Sequence, residues 1–321
     1  MATNVSRRDL LATSACVAAG LTGRLASSAS AEAVAAASAE PFRYCLNAAT
    51  IMGQKLNPLQ EAEIAAKAGY SGIEPWVRNL RQYLDAGNSA QDLGRQIANL
   101  GLTVEGAIGF ASWAVDDDGQ RAKGTDELKR DMELVAAIGG KRIAAAPAGI
   151  NRTAGVDLHK VAARYREVLE LGRQAGVLPH LEIWGSSLSL SRMSEAAFVA
   201  IQADHPDACL LLDVYHLFRG GSGFEGLKVL AGSAMHVFHV NDYPAEPKRE
   251  ELTDAHRVYP GDGVAPYDQI LGDLHRNGFR GALSLELFNR QYWEQDALQV
   301  AQTGLDKLRA VVRKALARRQ P

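Results

Sequence analysis

Four side chains in the second half of the sequence carry metal-site chemistry: Glu182 in LPHLEIWG, Asp213 in ACLLLDVYH, His239 in MHVFHVND and Glu286 in GALSLELFN. Each closes or nearly closes a short apolar run, and a helix-like stretch separates each run from the next. A parallel barrel places the C-terminal ends of all its strands on one face, where functional groups meet. Taken singly, a Glu after a strand reads as a solvated loop group, and a His between Phe238 and Val240 reads as a core residue. Recurrence at the ends of four successive runs points instead to convergence. Three carboxylates and one imidazole suit one divalent ion, with Mn2+ the leading choice, Mg2+ and Co2+ next, and Zn2+ tolerated.

Such an ion would take the adjacent carbonyl and hydroxyl oxygens of a substrate and stabilise the cis-enediolate left when the proton between them departs. Glu182 and Glu286, about half a barrel apart, would flank the substrate as catalytic residues, one removing the proton and the other returning it. His216, in DVYH, would hydrogen-bond a substrate oxygen. Glu74, in GIEPW, would bind substrate hydroxyls or hold His216. The segment NDYPAEPKREELTDAHRVYPGDGVAPY is long enough to be functional, and Arg257 in it is a candidate clamp for a substrate oxygen or the enediolate charge. Gly261, Asp262 and Gly263 read as a turn. Trp113, in GFASWAVDDD, would stack on a sugar face or plug the space under its loop.

These positions require strands and helices in alternation, and the sequence supplies them. Strand-like runs fall at 42–47, 72–76, 102–107, 142–147, 178–183, 208–213, 235–240 and 282–287. They are apolar throughout, as strands covered on both faces are. Between them lie helix signals: Asn57-Pro58 to Gly69, Ser89 to Gly101, Thr125 to Gly139, Val156 to Gly176, Ser194 to Ala203, Pro266 to Gly278, and Asp296 onward. The pattern predicts one α/β domain, a (β/α)8 TIM barrel. A doubly wound sheet is the rival; no glycine-rich phosphate turn follows the first strand to support its dinucleotide-binding form.

The N-terminus carries Arg7 and Arg8 ahead of an apolar run from Leu10 to Leu21, then small residues around Ala29 to Ala33. This is the pattern of a twin-arginine export signal, and it predicts residues 1–38 as signal and linker, residues 39–321 as the domain, and a periplasmic or extracellular location. The apolar run falls short of the ~20 residues a membrane span needs, so no stable span is expected in the mature chain. Cys45 and Cys209 fall in strands that are not neighbours and read as core residues rather than a disulfide. With 47% hydrophobic and 22% charged residues, the composition is that of a globular protein. A net charge of −2 offers no footprint for nucleic acid. A homo-oligomer is compatible with all of this.

The motifs GYSGIEPW, LEIWG, LLLDVYH, FHVND, YPGDG and LSLEL together resemble the xylose isomerase-like TIM-barrel superfamily, from about Phe42 onward. The nearest branches are the tagatose/psicose 3-epimerases, hydroxypyruvate isomerases and inosose isomerases or dehydratases. The resemblance implies metal ligands at Glu182, Asp213, His239 and Glu286, acid–base roles for the two Glu, and substrate contact by His216. The chain departs from the epimerases in its long loop between His239 and Gly261, where Arg257 lies. The three-metal apurinic endonucleases of the superfamily need further His ligands. Asp254 and His256 imitate part of that set, but Glu74 follows the second strand and no His follows the third.

The first functional reading is a metal-dependent isomerase or epimerase of a keto-sugar or cyclitol. The second is a lyase, in which the same enediolate expels a β-leaving group; a non-catalytic sugar-binding protein is third. Arg219, Lys248, Arg249, Arg257 and Arg290 form no phosphate motif, while Trp113, Trp184, Tyr292 and Trp293 suit the faces of a neutral ring. The expected substrate is therefore a neutral small carbohydrate or cyclitol.

Overall fold

The computed structural model describes residues 40–317; the export signal expected over residues 1–38 lies outside the described residues. All eight apolar runs form parallel strands: β1 (Arg43–Asn47), β2 (Gly72–Glu74), β3 (Thr103–Val104), β4 (Arg142–Ala145), β5 (Leu178–Glu182), β6 (Leu210–Asp213), β7 (Met235–Val240) and β8 (Ala282–Leu285). Their order is β3-β2-β1-β8-β7-β6-β5-β4. The ladder is open between β3 and β4, and the Ala144 N–H bridges to the Ala107 carbonyl there at 2.9 Å. The fold is thus the expected TIM barrel.

The strands stop short of the expected runs where the backbone must leave the ladder. β2 ends at Glu74, and Trp76 instead bridges to Ile108. β3 keeps only two residues. Just beyond it, a Cβ on Gly106 would lie 2.5 Å from Glu74 Oε1, so the glycine lets that carboxylate pass.

Helices cover the outside: α1 (Pro58–Ala68), α2 (Val77–Asp85), α3 (Ala90–Asn99), α4 (Asp118–Ala137), α5 (Leu158–Ala175), α6 (Met193–Gln202), α7 (Val214–Arg219), α8 (Tyr267–Arg276), α9 (Arg290–Trp293) and α10 (Ala297–Ala317). α1 starts at the expected Asn57-Pro58 signal, where Asn57 and Gln60 form a capping box. α4 begins at Asp118 rather than Thr125, because the Asp117 side chain accepts from the Gln120 N–H and caps it earlier. α2 was not foreseen: it has no side-chain cap and buries only Val77 and Leu80. The main core lies between strands and helices. A smaller apolar layer contains Ala144, Leu211 and Val237. Two-residue alternation along β6 and β7 then puts Asp213 on the face of Leu211, and His239 on the face of Val237. Cys45 and Cys209 are buried free thiols.

Candidate active site and metal centre

Each of the four expected ligands sits where its strand ends, and all are buried. One ligand atom from each of Asp213, His239 and Glu286 lies within 4.8 Å of the other two. Glu182 stands beside this trio rather than within it. Asp213 also caps α7, accepting from the His216 N–H at 2.6 Å, and Asn241 Nδ2 donates to its other oxygen at 2.7 Å.

Two of these buried groups have an orphan atom. His239 Nδ1 and Glu182 Oε2 have no hydrogen-bond partner. Nδ1 lies 3.4 Å from Glu286 Oε2, while Nε2 on the far side of the ring meets Glu74 Oε2 at 2.9 Å. Orphaned buried polar atoms are rare and costly. A divalent cation among these donors would satisfy both, with a carboxylate orienting the imidazole from behind as in many metal sites. The residues therefore fit a metal.

Glu74 is the first correction. It is buried, and its Oε2 also accepts from Asn47 Nδ2 at 2.9 Å and Ser284 Oγ at 2.8 Å. It holds His239, not His216, and it does not line the cavity. Trp113 is the second: its indole N–H donates to the Ala146 carbonyl at 2.9 Å and its ring packs on Tyr165, so it is the plug and not a sugar platform. Tyr292 stacks on Tyr259, and the Trp293 indole donates to the Ala49 carbonyl; neither lines the cavity. Gly261 and Gly263 do shape a turn. Asp242, fully buried, accepts the N–H groups of Tyr243, Gly261, Gly263 and Ala265 at 2.8–3.1 Å. A Cβ on Gly263 would come within 2.4 Å of that carboxylate.

This turn returns the long loop so that Arg257 enters the site almost fully buried. Its Nη1 donates to Asp213 Oδ2 at 3.1 Å and to Glu286 Oε2 at 2.8 Å, and its guanidinium lies 4.5 Å from the Tyr215 ring centre and 5.0 Å from that of Phe288. Asp254 pairs with Arg257, and His256 turns back to the Thr253 N–H, so these two do not assemble as metal ligands. His216 lines the cavity, accepting the Gly185 N–H at Nδ1, with Nε2 3.1 Å from Arg257 Nη2.

The cavity holds about 230 Å3. Glu182, His216, Asp254, Arg257 and Glu286 line it. So do four aromatic rings in mutual contact: Phe110 lies 5.0 Å from Trp76 and 5.8 Å from Trp184, and Trp76 lies 6.0 Å from Phe288 (ring centres). Of these only Trp184 was singled out from sequence. The signal for the others was their place just past a strand end, where loops line the barrel mouth. A larger groove of about 800 Å3 beside α1 and α2 contains none of these groups; chemistry, not volume, designates the site.

The electrostatics separate the two glutamates. Burial pushes Glu182 up to about 8, with Glu286 and Asp213 adding to the rise against His239. Burial also acts upward on Glu286, but His239 and Arg257 prevail and hold it at about 2. Burial acts downward on His239, but Glu74 and Glu286 raise it well above the usual histidine range. The pocket thus attracts positive charge at the imidazole, and metal binding would replace a proton there.

The sequence profile described as "xylose isomerase-like TIM barrel" matches residues 62–311. The chain belongs to that family. It is 29% identical over 280 residues to the inosose isomerase of Bacillus velezensis, covering 85% of this chain and 98% of that one. It is 22% identical over 250 residues to the 3-dehydroshikimate dehydratase of Pseudomonas putida, covering 78% of this chain and 39% of that longer protein. The crystal structure of the IolI protein with a bound zinc atom superposes with a TM-score of 0.79 at 25% identity, over 85% of this chain and 99% of that one.

Proposed function

We propose that this family member isomerises a neutral keto-cyclitol or keto-sugar by proton transfer through a cis-enediolate. The observation that carries the reading is the meeting of Glu182 and Glu286, beside Asp213 and His239, in one cavity also lined by Trp76, Phe110, Trp184 and Phe288. Similarity to inosose isomerase along nearly its whole length supports a cyclitol.

One divalent ion held by Glu182, Asp213, His239 and Glu286 would supply Lewis-acid polarisation of adjacent substrate oxygens. The oxygen-rich donor set favours Mn2+, and the zinc of the IolI protein makes Zn2+ its direct competitor. The ionised Glu286 removes the proton beside the carbonyl, and Glu182 returns one at the neighbouring carbon. Arg257, in contact with His216, would offer its guanidinium charge to an oxygen that becomes negative during the reaction. Trp76, Phe110, Trp184 and Phe288 pack the C–H faces of a ring and exclude water.

The second reading, a dehydratase, is favoured by the resemblance to 3-dehydroshikimate dehydratase. It shares the proton abstraction and differs in expelling a β-substituent. NMR of inososes and free ketoses in D2O, with Mn2+- and Zn2+-loaded protein, separates the two. Deuterium entry with carbon skeleton and hydroxyls retained supports isomerisation; loss of water supports the dehydratase. Binding without exchange would overturn both. A neutral substrate is supported by the engagement of cations near the mouth: Arg219 donates to the Leu252 and Glu250 carbonyls, and Arg249 pairs with Glu250. A tenfold or greater preference in kcat/KM for a phosphorylated over a free ketose, about 1.4 kcal/mol, would refute it. Export by the twin-arginine route remains part of this proposal, resting on Arg7 and Arg8; undiminished periplasmic accumulation of the Arg7→Lys, Arg8→Lys double variant would refute it.

A further inference from the structure

A second cluster of ligand-type side chains lies toward the N-terminal ends of the strands, away from the carboxylates. It joins His180 in the middle of β5, Cys209 just before β6, and His236 near the start of β7. One donor atom from each lies within 4.8 Å of the other two. His180 is 2% exposed, and its Nε2 is buried without any hydrogen-bond partner. The two imidazole ring centres lie 5.4 Å apart, with the ring planes 21° from parallel. An unpartnered buried nitrogen beside a thiol and a second imidazole is a strained arrangement for a plain core. It becomes a satisfied one if all three point at a common atom.

The surroundings fix the cluster in place. Tyr165 Oη shares its one proton between the Pro179 and Cys209 carbonyls, each 2.9 Å away, and so ties the starts of β5 and β6 together. Arg142, the nearby cation, is directed away onto Glu105: it donates to that residue's carbonyl at 3.3 Å and pairs with its carboxylate at 3.6 Å. Glu105 also takes Arg43 at 2.6 Å. His236 is half-buried and gives a path from solvent.

We propose that His180, Cys209 and His236 form a metal site distinct from the catalytic centre, selective for a borderline-soft ion of the zinc type. One thiolate and two neutral imidazoles are a zinc-site ligand set, leaving one position for water on the His236 side. The two ends of the barrel would then differ in ligand softness: oxygen-rich at the carboxylates, sulfur- and nitrogen-rich here.

Cobalt(II) reports the difference, because a thiolate ligand gives intense near-ultraviolet charge-transfer absorption that an oxygen-rich site does not. The full chain titrated with Co2+ should develop this band. Cys209→Ser should abolish it, while Cys16→Ser and Cys45→Ser should retain it. His236→Gln, at a half-buried position, should weaken the Co2+ affinity read from the band tenfold or more. Absence of the band in the native chain, its survival in Cys209→Ser, or an unchanged affinity in His236→Gln would each overturn the site.

Discussion

At the ends of β5 to β8 lie Glu182, Asp213, His239 (one residue before the end of β7) and Glu286 (one residue past β8), whereas β1 and β2 end in Asn47 and Glu74 and β4 ends in Ala145. The first set of polar groups meets at the candidate metal centre. The polar groups of β1 and β2 reach across the barrel to hold it, through the Asn47–Glu74–His239 chain. The aromatic lining of the cavity comes from both halves, with Trp76 and Phe110 from the first and Trp184 and Phe288 from the second. Each half also contains one strongly desolvated glutamate: Glu182 is pushed up to about 8, and Glu61 on α1 to about 7. The first faces the cavity. The second is buried against α2, where Asn79 donates to it at 3.2 Å. Burial alone therefore does not make a reactive carboxyl; access to a substrate and to a complementary partner does.

The sharpest way to break this contrast is to neutralise the reactive pair. Glu182→Gln and Glu286→Gln should each cost about 10²-fold or more in turnover with the circular dichroism unchanged. Near-native turnover in either would remove that residue from the chemistry. Glu61→Gln addresses the other buried carboxyl. Its folded-state pKa is raised, so its contribution is fully favourable below the unfolded value near 4.5 and is lost as pH rises through about 7. Between those limits the native chain should lose on the order of 3 kcal/mol relative to Glu61→Gln in urea unfolding, with activity retained. A pH-independent difference would mean the group is not desolvated.

Glu74→Gln tests the supporting role of the first half. Calorimetric Mn2+ affinity should fall about 10- to 100-fold although no ligand has been touched. An unaffected affinity would detach Glu74 from the centre. The smallest effect is expected at the cavity wall: Phe110→Ala should raise KM about two- to tenfold with kcat little changed. A kcat loss of that size or larger would draw the wall into the chemistry.

The strands were readable because strands covered on both faces are apolar on both, and an acid or His at the end of such a run stands out. The Asn57 cap of α1 was readable for the same local reason, whereas the Asp117 cap that starts α4 was passed over for Thr125. α2 was not, since its start carries no cap and its buried face is two residues wide. The roles of Glu74 and Trp113 were set by partners far away in sequence: His239 for the first, the Ala146 carbonyl for the second. Asn47 and Asn241 were passed over because an amide inside or beside an apolar run declares nothing until its acceptor, Glu74 or Asp213, is in place.

The carboxylate of Asp242 closes the base of the long loop by gathering four N–H groups, and the Asp242–Val258 bridge pins its returning limb. Arg257 is fixed from this stem and from Asp254, and not from residues 244–249, where the chain reaches the surface. The loop thus separates into a part that must stay constant for the reaction and a part free to vary in length and composition. Descendants of such a barrel can acquire new outer contacts by insertion at 244–249 while the guanidinium stays where it is, a modular route by which one reactive centre comes to serve many substrates.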